Sequence, residues 1–263
     1  MSDPAALFDV AGARVVVTGA ASGLGLAMAE VMADSGARVT LADLDGERLE
    51  EAAGGLSGDV RTSQLDVSDA DAVARLFDEV VEAQGGVDVA FANAGISLEP
   101  GVLDSRGGLE AFDRATWDTV LGVNLNGVVF TMRAAAGHMK RQGSGRIVVT
   151  ASTAGFGTDP MVGYSYSATK AAVIIVVRQA ALELAPHGVH VNAIAPGPFR
   201  TNIGGDAAPI PEEAWHQIVA LRRVADPEEL KGVALLLASP ASSFMTGAIV
   251  PVDGGQLLMS HGI

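Results

Sequence analysis

The chain has 263 residues, enough to bury a sizeable core, and a hydrophobic fraction of 49% excludes disorder. Its 17 Lys and Arg stand against 31 Asp and Glu, and the net charge of −14 repels phosphate backbones, so nucleic acid is not an expected partner. The absence of cysteine excludes a disulfide scaffold, a thiol nucleophile, an iron–sulfur cluster and a thiolate zinc site.

In chain order, short apolar β-branched runs cover 14–18, 38–42, 61–65 (the weakest), 87–92, 146–151, 189–195 and 248–252. Helical spacing fills the intervals at 24–35, 46–54, 69–84, 116–141, 166–186 and 226–238. Strands alternating with helices predict βαβ units: a single-domain α/β sandwich with a doubly wound parallel sheet of about seven strands, occupying 1–263. Val173-Ile174-Ile175-Val176-Val177 has strand propensity, but its helix-forming flanks make the span too long for a strand. It is read as a helix, apolar nearly all round and therefore buried on more than one side. The connection 96–113, which carries Pro100 and several glycines, is long enough to expect a function. Met1-Ser2-Asp3-Pro4 has no signal-peptide character, and the uncharged stretch 232–252 is broken by Pro240, Gly247 and Pro251. A cytoplasmic protein without membrane spans is expected.

The first strand runs directly into Gly19-Ala20-Ala21-Ser22-Gly23-Leu24-Gly25. Such a turn needs glycine three times: for the tight turn, for close approach to a pyrophosphate, and for packing of the helix on the sheet. The helix N-terminus then offers N–H groups and a positive dipole end to phosphates. A ligand-free glycine-rich turn has the same pattern. Asp43, at the end of the second strand, favours a dinucleotide because a carboxylate there accepts from ribose hydroxyls, although a solvated loop aspartate would read alike. Its neighbours Ala20, Ala21 and Leu44 are neutral, which predicts NAD(H) over NADP(H).

With these residues in place, the chain resembles the short-chain dehydrogenase/reductase family over about residues 11–256. Thr18–Gly25 matches its TGxxxGxG turn, Asp66-Val67 its adenine-contacting pair, and Asn93-Ala94-Gly95 its NAG triplet. Asn124, Ser152 and the pair Tyr166…Lys170 stand where the family has its active-site Asn, Ser and YxxxK. Pro196-Gly197-Pro198-Phe199-Arg200-Thr201 matches PGxxxT, and Val252-Asp253-Gly254-Gly255 matches the last-strand signature. The resemblance implies that Lys170 bonds the nicotinamide ribose, that Thr201, aided by backbone near Phe199, holds the carboxamide, and that the protein is a homotetramer.

Residue chemistry supports the same site. Tyr166 and Lys170 are four apart, so they share a helix face. A nearby ammonium favours the phenolate, and lowering a phenol by about three units requires roughly 4 kcal/mol. The expectation is that Lys170 lowers Tyr166, making it the general acid/base of hydride transfer between nicotinamide and a secondary alcohol or ketone. Ser152 is expected to hold the substrate oxygen, and Asn124, a poor helix former in mid-helix, to anchor a proton-relay water.

Rival readings are weaker. No G-x-S-x-G elbow serves a serine hydrolase, and only His187 and His190 lie close together, so no metal is expected. A reductase of carrier-bound 3-oxoacyl groups shares every motif, but Asp43 and the acidic charge oppose it; a catalytically silent NAD-binding sensor is a further alternative. The segment 197–222, with Ile203, Ile210 and Trp215, reads as a lid over a small hydrophobic substrate, which Ser97 and Tyr164 are expected to line with it.

Overall fold

The computed structural model describes residues 4–203 and 215–259. Among these, β1 (Arg14–Thr18), β2 (Arg38–Asp43), β3 (Val60–Gln64), β4 (Val89–Ala92), β5 (Gly145–Thr150), β6 (Val189–Pro196) and β7 (Ile249–Val252) form one sheet. Its order is β3-β2-β1-β4-β5-β6-β7, and every neighbouring pair is parallel. The α/β fold is as expected.

The five inner strands bury both faces, and the period-2 alternation divides them. Val16, Ala90, Ile147 and Val191 face one core layer, which is completed by Phe77, Met132, Met139 and Val177. These come from α3 (Ala70–Gln84), α5 (Val128–Gln142) and α6 (Tyr164–Leu184). Val15, Val17, Phe91 and Ile194 face the other layer, against α1 (Gly23–Asp34), α2 (Gly46–Gly54) and the helix Lys231–Ala238, here α7. The weak periodicity of β3 has a simple cause: it is an edge strand, with Arg61 and Gln64 exposed. The opposite edge, β7, carries Pro251, a residue that sheets accept at edges.

Boundaries follow local chemistry. Asp69 caps α3 by accepting from the N–H groups of Asp71 and Ala72, and Gly85, at φ +83°, ends it in the left-handed conformation that glycine adopts without strain. Two expectations need amendment. The helix expected at 116–141 is α4 (Arg114–Leu121), a π-helical turn over Gly122–Gly127, and α5. In α6 the run Val173–Val177 is helical as read, but its own chain buries one side of it and not more: Val173, Ile174 and Val177 are buried while Ile175 is 61% exposed. No helix among the described residues is long and apolar enough to cross a membrane. Gly204, Gly205, Ala207, Ala208, Pro209, Ile210 and Pro211 of the expected lid lie outside the described residues.

Candidate active site

Strand order reverses between β1 and β4, and in such sheets the crevice at the carboxyl ends of the strands is the place for a ligand. Gly19 leaves β1 here at φ +68°, and a Cβ on it would come within 2.7 Å of Ala94 Cα. A Cβ on Gly25 would overlap the Gly19 carbonyl, so the first turn of α1 packs directly on the end of β1. Asn93 ties this turn to the middle of the sheet. Its Nδ2 donates to the carbonyls of Thr18 and Gly19, both at 3.1 Å, and its Oδ1 accepts from Thr150 Oγ1 at 2.9 Å.

Several features fit a dinucleotide. At the start of α1, the N-cap Ser22 makes no side-chain cap and the first turn holds no acidic residue, so the helix supplies no anion of its own to its positive end. Leu24 lies in that turn, and Thr201 meets it from across the crevice, with its methyl 3.4 Å from the position of a Cβ on Gly23. At the end of β2, Asp43 accepts from Ala21 N–H at 3.0 Å and from Asp45 N–H at 3.1 Å, which holds the carboxylate at the rim of the turn. Asp66 accepts from the backbone and hydroxyl of Ser68, while Val67 is buried against Gly127. Pro196 ends β6, and Gly197 follows at a spot where a Cβ would lie 2.8 Å from Asp253. Phe199 forms a bridge to Ala225.

The four residues singled out for chemistry converge beside this crevice. Ser152 follows β5, is 7% exposed, and its Oγ accepts from Ala154 N–H at 3.1 Å. Its hydroxyl also acts on the phenol of Tyr166, in the direction that favours the phenolate. Lys170 is buried one helical turn beyond Tyr166, its Nζ 5.6 Å from the centre of the phenol ring and donating to Thr150 O at 2.8 Å. The two side chains share a face. Asn124 sits in the π-turn, fully buried: its Oδ1 accepts from Ile96 N–H and its Nδ2 donates to Ile96 O, each at 2.8 Å. A π-turn often marks a functional residue, and here its asparagine grips the backbone of the connection that follows β4. Gly95 lies between them: a Cβ on it would be 3.5 Å from Asn124 Oδ1 and 3.7 Å from Lys170 Nζ.

The electrostatics correct one expectation. The phenol is not lowered overall; Tyr166 is pushed above its ordinary value, because burial disfavours the phenolate more than Ser152 favours it, and Asp159 adds to the rise. Lys170 is itself pushed down to about 8 by burial. Among the protein's own groups, both charged forms are thus disfavoured.

The residues expected to line a substrate pocket are less gathered. Tyr164 opens α6 and is 43% exposed, while Ser97 N–H donates to Ile203 O at 3.1 Å, joining the 96–113 connection to the start of the expected lid. Trp215 accepts at its carbonyl from the N–H groups of Ile218 and Val219. Sequence reasoning passed over Glu99, whose carboxylate binds Ser165, and Asp159, which acts on Tyr166. Both lie in irregular connections, where no periodicity marks a residue. Thr153 was missed for the same reason; its hydroxyl faces Gln256 Oε1 at 3.0 Å and Pro196 O at 3.3 Å, linking the Ser152 turn to the last strand's exit. No group of three or more metal-ligating side chains lies together among the described residues.

A family model described as "Enoyl-(Acyl carrier protein) reductase" matches residues 19–256. Meso-2,3-butanediol dehydrogenase of Serratia marcescens is 37% identical over 92% of this chain and 93% of its own length. Cis-4-hydroxycyclohexanecarboxylate dehydrogenase of Sinomonas cyclohexanicum is 40% identical over 91% of this chain and 94% of its own. A crystal structure of a short-chain type dehydrogenase/reductase from Mycobacterium marinum superimposes with a TM-score of 0.87 at 36% identity, covering 95% of this chain and 97% of that one.

Proposed function

Because the chain belongs to the short-chain dehydrogenase/reductase family, whose members use nicotinamide cofactors, we propose that it is an NAD(H)-dependent oxidoreductase of a small hydrophobic secondary alcohol or its ketone. The single observation that carries this reading is Lys170 on the same helix face as Tyr166, its Nζ 5.6 Å from the phenol ring, at the crevice beside the glycine-rich turn. When bound, nicotinamide supplies or takes up the hydride.

In this reading Tyr166 takes the hydroxyl proton of the alcohol in oxidation and returns it to the ketone oxygen in reduction. Ser152, whose hydroxyl acts on the phenol, holds the substrate oxygen within reach of it. Burial disfavours phenolate and ammonium alike, but it strengthens their attraction for each other. A phenolate is therefore more accessible while Lys170 stays protonated. Gly19, Ser22, Gly23, Leu24 and Gly25 would hold the pyrophosphate, Asp66 and Val67 the adenine, and Asn93, Gly95, Pro196, Gly197, Phe199 and Thr201 the nicotinamide end. Lys170 bonds the nicotinamide ribose, and Asn124 fixes Ile96 at the side of the cleft.

Asp43 supports NAD(H), since its held carboxylate would face a 2′-phosphate with no cation among Ala20, Ala21 and Leu44. The substrate is assigned as hydrophobic from Ile203 and Trp215 of the 197–222 segment, with Ser97, Tyr164 and Ser152 around it. A twofold-symmetric tetramer in the cytoplasm completes the reading, and the exposed Ile175 and Leu182 of α6 support burial between subunits. The test is a spectrophotometric screen at ~340 nm pairing NAD or NADP with neutral secondary alcohols, with Tyr166→Phe as control. Turnover with NAD that vanishes in the variant is expected. Cofactor binding without any turnover would leave a silent sensor, and activity confined to carrier-bound 3-oxoacyl groups with NADPH would move the protein to the rival reductase class.

A further inference from the structure

We propose that Glu99 is a positioning residue for Tyr166: its carboxylate caps, from another segment of the chain, the helix that carries the phenol. The inference rests on the reading of Tyr166 as the proton-transfer group. A helix leaves its first N–H groups without partners, and a Ser, Thr, Asp or Asn at the N-cap ordinarily accepts from one of them. In α6 the N-cap is Gly163, which has extended backbone and no side chain to offer. Space explains the glycine, because a Cβ there would overlap the Cβ of Glu99 and lie 2.8 Å from its Oε2.

Glu99 Oε2 does the accepting instead. It receives Ser165 N–H at 3.0 Å and also the Ser165 hydroxyl in a short bond. Ser165 is 1% exposed and directly precedes Tyr166. Both of its donors are therefore tied to one carboxylate that comes 66 residues from upstream in the chain. A negative group at this point also complements the positive end of α6.

The carboxylate is held in place by its own segment. Pro100 forms an antiparallel bridge with Val162, and a Cβ on Gly101 would lie 2.7 Å from Val162 N, so the two backbones are in close contact. Three residues before Glu99, Ile96 is gripped on both sides of its peptide by Asn124. The root of the 96–113 connection is thus a strut from the π-turn to the start of α6. The strut sets where the first turn of α6 stands, and with it the approach of the Tyr166 hydroxyl to Ser152.

The test uses the whole purified protein saturated with NAD and an alcohol from the screen, with thermal melts to confirm folding. Glu99→Ala is expected to lower kcat about 10-fold while the KM for NAD stays within about 2-fold, because small displacements of a reacting group cost rate and not cofactor binding. Glu99→Gln keeps the shape and one acceptor and is expected to return kcat to within about 3-fold of the parent, as is Ser165→Ala, which keeps the backbone bond. An unchanged kcat in folded Glu99→Ala, or Glu99→Gln no better than Glu99→Ala, would overturn the proposal. A rise in the alcohol's KM alone would overturn it too, by making Glu99 a substrate contact. If the parent turns over no alcohol, it is the reading of Tyr166 that fails. Hydrogen exchange then still reads the cap: the amides of Ser165 and Tyr166 should exchange about 10-fold faster in Glu99→Ala, and unchanged rates refute it.

Discussion

The turn after β1 and the connection after β4 leave adjacent strands at the same end of the sheet, yet they are built in different ways. The first is specified by what its residues lack: without side chains at Gly19 and Gly25, the start of α1 packs directly against the ends of β1 and β4. The second is specified by what its residues reach. Ile96 is gripped by Asn124, Ser97 meets Ile203, and Glu99 meets Ser165. A site for a shared cofactor can be made of backbone and local sequence, whereas a site for a particular substrate is assembled from contacts between distant segments.

The comparison can be broken first at the point where the two regions meet. Tyr166→Phe removes the proton-transfer group but keeps the ring, so kcat should fall at least ~1,000-fold, about 4 kcal/mol, with NAD affinity unchanged by fluorescence titration. A residual rate above about a tenth of the parent would remove Tyr166 from the chemistry. On the cofactor side, Gly19→Ala combines a left-handed backbone with a Cβ 2.7 Å from Ala94 Cα, so it should cost about 3 kcal/mol of stability and lower Tm by several degrees. Gly95→Ala separates packing from binding. Its Cβ meets no atom of other residues closer than 3.5 Å, so Tm should hold while NAD binds about 10-fold more weakly, because the methyl enters the space among Asn124, Lys170 and the crevice. Equal losses of Tm at Gly19 and Gly95 would erase the distinction. Asp43→Asn keeps an acceptor for Ala21 N–H but removes the charge, and the ratio of kcat/KM for NAD over NADP should fall by about 100-fold, or ~2.7 kcal/mol. A ratio that does not move would take cofactor choice away from Asp43.

The same contrast explains what could be read from the sequence. The seven strands, the glycine-rich turn and the placement of Tyr166 and Lys170 on one face were legible because each depends on local spacing: period 2, period 3.6, or glycine where a Cβ collides. The π-turn at Gly122–Gly127 was not: it accompanies the bonds of Asn124 to Ile96, a tertiary contact that propensity does not encode. α6 begins at Tyr164, two residues ahead of its expected start, for a similar reason: its cap comes from Glu99 and not from the residue that precedes it. The charge state of Tyr166 was misjudged because sequence spacing reveals the ammonium one turn away but not the burial of both groups, and burial proves the larger effect.

That burial has its own consequence at Lys170. An ammonium pushed from 10.5 down to about 8 holds its proton less firmly in the folded chain than in the unfolded one. Between those two values the unfolded chain binds more protons, so the Lys170 contribution to stability rises with pH across this window and is least favourable below about 8. At pH 7 the deficit is 2.5 pKa units at about 1.4 kcal/mol each, roughly 3 kcal/mol. Lys170→Met should recover part of it. Against the gain stands the lost hydrogen bond to Thr150 O, about 1 kcal/mol, so the cofactor-free variant should be more stable than the parent by about 2 kcal/mol at pH 7. It should also be inactive. Urea titrations of both proteins between pH 7 and 10 measure the effect: the advantage of the variant should shrink steadily above pH 8, as the parent's amine loses its proton in the folded state. A constant difference across that range would mean that the amine is not paying for its burial, and a less stable variant would mean that the bond to Thr150 outweighs it. The expected outcome places the substrate end of the molecule under a constraint the glycine turn does not share, since there the residue needed for chemistry is one the fold alone would replace.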